Sequence, residues 1–215
     1  MRVSSCLAAA ATCAFLIPCH AVPAAVLWDN NLTPDRVAAV TLTVAGSRLV
    51  DDFFLHAPSE ITGFRLTVVE DSGFSPGDLF EVFVYTEAGG APGELVAQET
   101  TTLTRQATGG SFFGRAEFVY EVSGMAIRLE PGSYWIGGRN VRASGTGLNY
   151  WMTSDGGPDG GGSAPSMRGL DEHWVPTGYQ QAFVLNGAAV PEAGTGAAWL
   201  VALAGLFLTK RRLAP

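Results

Sequence analysis

The chain has 215 residues, with 20 acidic against 13 basic side chains, a formal charge of −7 and a 47% hydrophobic content inflated by apolar stretches at both ends. That leaves room for one folded domain plus targeting segments, and the acidic sign excludes a nucleic-acid partner, because phosphates need Lys and Arg clustered on one face. All three cysteines, Cys6, Cys13 and Cys19, fall in the first 19 residues, so a chain trimmed after them must rely on its core rather than on disulfides or a thiolate metal site.

The N-terminus carries Arg2, an apolar run from Cys6 to Ile17, Pro18, and the small-x-small triplet Cys19-His20-Ala21. This is the layout of a secretory signal peptide over residues 1–21. Its 12 apolar residues form a signal helix too short for a transmembrane span, which needs about 20. Leu16-Ile17-Pro18-Cys19 is similar to a lipoprotein processing box in which Cys19 would be lipidated, but proline directly before the cysteine departs from that pattern.

Residues 22–189 follow as one domain, in which nineteen acids face nine arginines, a charge near −10. Short apolar or alternating runs are separated by Gly, Pro, Asp and Ser, and helical periodicity is nearly absent, which predicts an all-β domain. The predicted strands are Val40–Val44, Leu49–Leu55, Ile61–Val69, Phe80–Tyr85, Leu95–Thr104, Phe112–Val122, Met125–Leu129, Tyr134–Arg139, Leu148–Thr153 and Gln181–Leu185. Period-two alternation, clearest in Phe80-Glu81-Val82-Phe83-Val84-Tyr85, puts one face of several strands in a core. Turn chemistry marks Asp71-Ser72-Gly73, Ser75-Pro76-Gly77-Asp78, Gly89-Gly90-Ala91-Pro92-Gly93 and Glu130-Pro131-Gly132. Without crossover helices the sheets should be antiparallel, a jelly-roll-like β-sandwich first and an immunoglobulin-like one second.

Chemistry-bearing motifs are sparse. Only His56 and His173 remain after the signal peptide, and there is no Gly-x-Ser-x-Gly elbow, no His-Glu-x-x-His and no phosphate-cradling Gly-Lys-Ser/Thr loop. Asp51 and Asp52 are adjacent on a strand, so their side chains should point to opposite faces and make a poor acid/base pair. The domain is therefore expected to be non-enzymatic, with no catalytic residues. The rival is a carbohydrate-active enzyme whose separated carboxylates meet in space.

The most unusual internal segment is Ser154-Asp155-Gly156-Gly157-Pro158-Asp159-Gly160-Gly161-Gly162-Ser163, followed by Asp171-Glu172-His173-Trp174. Asp155, Asp159 and Gly160 fit positions 1, 5 and 6 of an EF-hand loop, but Gly157 and Ser166 stand where positions 3 and 12 need ligands. A looser Ca2+ site of Asp155, Asp159 and Asp171 is one reading. A flexible glycine-rich loop without a cofactor is the better one. Trp135, Tyr150, Trp151, Trp174 and Tyr179 gather in this last third. Trp135 and Trp151, within strands, read as core, while Trp174 and Tyr179 are the candidates for a glycan-binding surface, with Trp174 the more exposed.

The C-terminus has Val190-Pro191-Glu192, then an uncharged run from Gly194 to Thr209, then Lys210-Arg211-Arg212. As a helix the 16-residue run would be about 24 Å long. It spans a bilayer only with snorkelling cations or local thinning, the basic cluster staying cytoplasmic. A buried terminal helix is the bland alternative, but an apolar face all round followed by three cations is unusual for one. Proline-glutamate, short apolar helix and arginine-rich end, in that order, resemble the PEP-CTERM sorting signal of Gram-negative bacteria. The resemblance implies recognition of Val190, Pro191 and Glu192 by the membrane protease-transpeptidase exosortase, and association with exopolysaccharide production. Ala193 stands where that signal usually has its second proline.

Asp51-Asp52-Phe53, Ile61-Thr62-Gly63-Phe64, the Gly-Ala-Pro-Gly turn and Leu129-Glu130-Pro131-Gly132-Ser133-Tyr134-Trp135-Ile136 are similar to extracellular bacterial β-sandwich domains found ahead of such tails. Three segments are thus expected: signal peptide 1–21, β-sandwich 22–189, and sorting tail 190–215 with a transmembrane helix at 194–209. The expected protein is exported, anchored first in the inner membrane and destined for the cell surface or extracellular matrix. Its partners would be the secretion machinery, exosortase, the membrane and polysaccharide, with the third reading a purely structural surface protein that takes no ligand.

Overall fold

The computed structural model describes residues 24–42, 47–156, 166–170 and 173–190. The signal peptide, Pro191, Glu192, the 194–209 segment, Lys210, Arg211, Arg212, Asp159 and Asp171 lie outside the described residues. Fifteen strands follow one another within them: β1 (Ala25–Asp29), β2 (Ala39–Thr41), β3 (Ser47–Leu55), β4 (Ser59–Glu70), β5 (Phe74–Ser75), β6 (Leu79–Glu87), β7 (Pro92–Phe112), β8 (Arg115–Leu129), β9 (Gly132–Asn140), β10 (Ser144–Gly145), β11 (Asn149–Ser154), β12 (Met167–Leu170), β13 (His173–Pro176), β14 (Gln180–Gln181) and β15 (Phe183–Ala189). No helix occurs among the described residues, so none there is long and apolar enough to cross a membrane.

Every strand pairing is antiparallel, as the lack of crossover helices requires. One large sheet runs β1-β15-β4-β8-β7-β6-β9-β3-β12-β13, and β11 joins it by pairing with the end of β4 and with β2. The 21-residue β7 makes the sheet fold over. Its first half pairs with β6 and its second half with β8, so one strand belongs to both halves of the sheet. The two halves meet across a shared core, where Phe64 of β4 lies 6.5 Å from Phe80 of β6 and Phe80 lies 6.3 Å from Tyr120 of β8. The result is all-β and sandwich-like.

The core is aromatic. Phe64 packs edge-on against Trp151 at 5.6 Å and Phe183 at 5.9 Å, geometries that aromatic pairs favour. Trp151 and Trp135 are fully buried, and the Trp151 indole N–H donates to the Ala182 carbonyl at 2.9 Å. A polar chain crosses the same interior: Tyr120 donates to Glu70 at 2.7 Å, Asn149 donates to Asn140 at 2.8 Å and to Tyr120 at 3.3 Å, and Arg105 pairs with Glu70 at 2.7 Å.

Three predicted strand boundaries need correction. The strand expected over Leu95–Thr104 runs on to Phe112 as β7. The strand expected over Phe112–Val122 is broken after Phe112, where Phe113 and Gly114 take φ of 50° and 74° while Phe112 pairs with Arg115. Two consecutive positive φ values form the tight hairpin turn whose twist matches that of its strands. The gap expected between Val122 and Met125 is instead a bulge. Gly124, at φ 80°, slips β8 by two residues against β4, and the strand then continues to Leu129.

Alternation in β6 is as the sequence indicates, with Phe80, Val82 and Val84 in the main core. The opposite face is not left to solvent. Phe83 and Tyr85 join Val50, Trp135 and Met167 in a second cluster, partly roofed by Trp174.

Candidate functional site

The surface singled out by the sequence is built on the β12–β13 hairpin, which hydrogen-bonds to β3 as an added edge. Its four-residue strands give the hairpin two chemically distinct faces. Gly169 stands opposite Trp174, and the indole lies across it so closely that a Cβ at 169 would fall 2.7 Å from the ring. The other side of the indole packs edge-on against Tyr85 at 5.2 Å. Trp174, expected as the exposed aromatic, is half-buried, and its neighbour Val175 takes the solvent position at 62% exposure. Tyr179 is 41% exposed, and its carbonyl accepts from the Ser166 N–H at 2.7 Å.

The outer face of the hairpin forms one wall of a groove of about 470 Å³. Arg168, His173 and Val175 line it from the hairpin, and Ala39, Val40 and Thr41 of β2 line it from the opposite side. The groove thus runs between β13, which ends the sheet path, and β2, which branches from β11. A guanidinium and an imidazole beside apolar walls make this the most ligand-like concavity near the predicted glycan residues.

A buried polar cluster that the sequence did not reveal joins the end of β1 to β3 and β14. Asn30, Asp51, Ser166 and Gln181 are fully buried, and Ser154 nearly so. Asp51 accepts from the Gln181 N–H at 2.6 Å, from the Asn30 carboxamide at 3.2 Å and from the Asp52 N–H at 3.2 Å. Asn30 also donates to the Gln181 carbonyl at 2.8 Å, and Gln181 donates to Ser166 at 2.7 Å. Burial pushes the Asp51 carboxyl well above its ordinary range, against the downward pull of the Gln181 N–H. Asp51 lies on the Leu49 and Phe53 side of β3, toward the main core, while Asp52 shares the opposite face with Val50, as adjacency on a strand requires.

Of the three carboxylates suggested for Ca2+, only Asp155 is described, and it accepts from the Asn31 carboxamide at 3.0 Å. Among the described residues no group of three or more metal-ligating side chains comes together. Other buried acids are held by arginines: Glu117 by Arg36 at 2.9 Å and Glu81 by Arg139 at 2.7 Å. Of the sorting motif only Val190 is described, where its N–H donates to the Pro58 carbonyl at 2.8 Å. Neither the models of known protein families nor the characterised proteins compared with this chain match it.

Proposed function

We propose that this is an exported, non-enzymatic surface protein whose jelly-roll-like sandwich is delivered by a cleaved signal peptide. In this reading a PEP-CTERM-type tail at Val190, Pro191 and Glu192 is processed by exosortase, and the domain associates with polysaccharide at the cell surface or in the extracellular matrix. The observation that carries it is the way the sheet begins and ends. β1 starts at Ala25, four residues past the signal triplet, and pairs with β15, which ends at Ala189 just before the sorting motif. Ala25 stands opposite Gly187, so the first and last strands among the described residues bring the two ends of the domain side by side, the points from which the targeting segments would continue. Cleavage at both ends would leave every described strand whole.

The non-enzymatic part is supported by three of the buried carboxylates. Glu70, Glu81 and Glu117 each close an ion pair with arginine at 2.7–2.9 Å, which occupies the oxygens that acid/base work would need free. The test is fractionation of the producing cell together with mass spectrometry of the mature chain. Export and sorting predict an N-terminus at Val22 and loss of the segment after Glu192. A mature form still ending at Pro215 would overturn exosortase processing.

A further inference from the structure

Where β15, β4 and β8 run side by side, their solvent face carries a depression of about 360 Å³. Gly63 stands in the central strand, opposite Asn186 on one side and Ser123 on the other, and two residues further along Arg65 stands opposite Glu121. Thr62 also lines it. The volume is at the small end for ligand sites, the size that suits one compact polar group.

Two features separate this depression from an ordinary polar surface. Arginine and glutamate directly opposite on antiparallel strands are expected to attract each other, and five other Arg–carboxylate pairs in this protein close to 2.5–2.9 Å. Arg65 and Glu121 form no ion pair; Glu121 is exposed, and the Arg65 Nε is buried without a hydrogen-bond partner. The second feature is Gly63 itself. At Gly137 and Gly187 an added Cβ would fall 1.9 Å and 2.1 Å from a backbone oxygen, so the fold demands glycine there. At Gly63 the nearest atom would be Asn186 Cβ at 3.5 Å, an ordinary contact, and φ is not in the left-handed region. The fold does not need a glycine at 63, yet its absent side chain is what keeps the floor open.

We propose that this depression seats a single neutral sugar residue through a vicinal pair of hydroxyls, with the ring over Gly63. Each sugar hydroxyl both donates and accepts, so one diol satisfies the Arg65 donors and the Glu121 acceptor together. Asn186, Ser123 and Thr62 take the neighbouring hydroxyls. A neutral ligand fits better than an anion because the two charges balance in a domain that is otherwise acidic. The assignment rests on the polysaccharide reading above and gives it an address.

The test titrates the full chain, purified in a non-glycosidic detergent, with neutral methyl hexopyranosides and with the producer's own exopolysaccharide, followed by saturation-transfer NMR. Gly63→Val should fill the floor and weaken binding at least about tenfold while preserving the melting temperature, since β-branched residues suit a strand face. Arg65→Ala and Glu121→Gln should weaken it similarly, and Arg128→Ala, outside the depression, should not. Exopolysaccharide binding that survives Gly63→Val and Arg65→Ala overturns this site and leaves polysaccharide association standing. Monosaccharide binding that responds to these variants, with none to the exopolysaccharide, supports the site and overturns the association. No binding to any of these probes overturns both.

Discussion

Asp51 concentrates the electrostatic cost of this fold in one side chain. It is fully buried and held by three N–H donors, yet desolvation wins and raises its pKa; Glu70, held by Tyr120 and Arg105, is shifted the same way by burial. A carboxyl whose folded pKa exceeds its unfolded value binds its proton more tightly in the native state. Its contribution is complete below the unfolded pKa and is lost as pH rises through the folded one. The urea midpoint should therefore fall as pH rises above about 4, and Asp51→Asn should flatten that decline. An unchanged slope in the variant would assign the pH dependence elsewhere. Asp71 acts in the opposite direction, lowered first by the Leu148 N–H and also by Arg115, but it is only partly buried and solvent screens its effect.

The elements carry their own tests. The β7–β8 hairpin turns on Phe113 and Gly114, both at positive φ. Gly114→Val should cost about 1–2 kcal/mol, the penalty of a Cβ in the left-handed region, read from chemical denaturation. Phe113→Asn should raise the melting temperature, because asparagine tolerates that conformation and Phe113 is 73% exposed. On the β12–β13 hairpin, Trp174→Ala should cost about 2 kcal/mol, roughly half the penalty for a fully buried tryptophan. It should also bare Tyr85, which the indole covers. A neutral effect would mean that the hairpin holds through its hydrogen bonds to β3 alone.

At the scale of the whole molecule the chain is closed late. β15 inserts between β1 and β4, pairing with both, so the last strand of the domain completes a sheet begun at its first. Ending the chain after Val190 should leave the melting temperature of the domain unchanged, whereas ending it before Phe183 should abolish cooperative unfolding. Equal melting of the two truncations would show that β15 is dispensable.

The sequence by itself determined that the domain is all-β, which strands alternate, and that Trp135 and Trp151 are core, because a strand's period of two is written locally in residues such as Phe80 to Tyr85. The short strands β1, β12 and β13 near the ends of the sheet left little trace, being five, four and four residues long. The turn at Phe113 was hidden because its first position is a bulky aromatic rather than asparagine. Trp174 could not be assigned inward from its polar neighbours, since the ring that receives it, Tyr85, lies on another strand. The Asn30–Asp51–Gln181 cluster and the Gly63 depression were likewise decided only by tertiary structure. Each joins residues from separate strands and loops, and hydrogen bonds between distant segments leave no periodic mark in any of them.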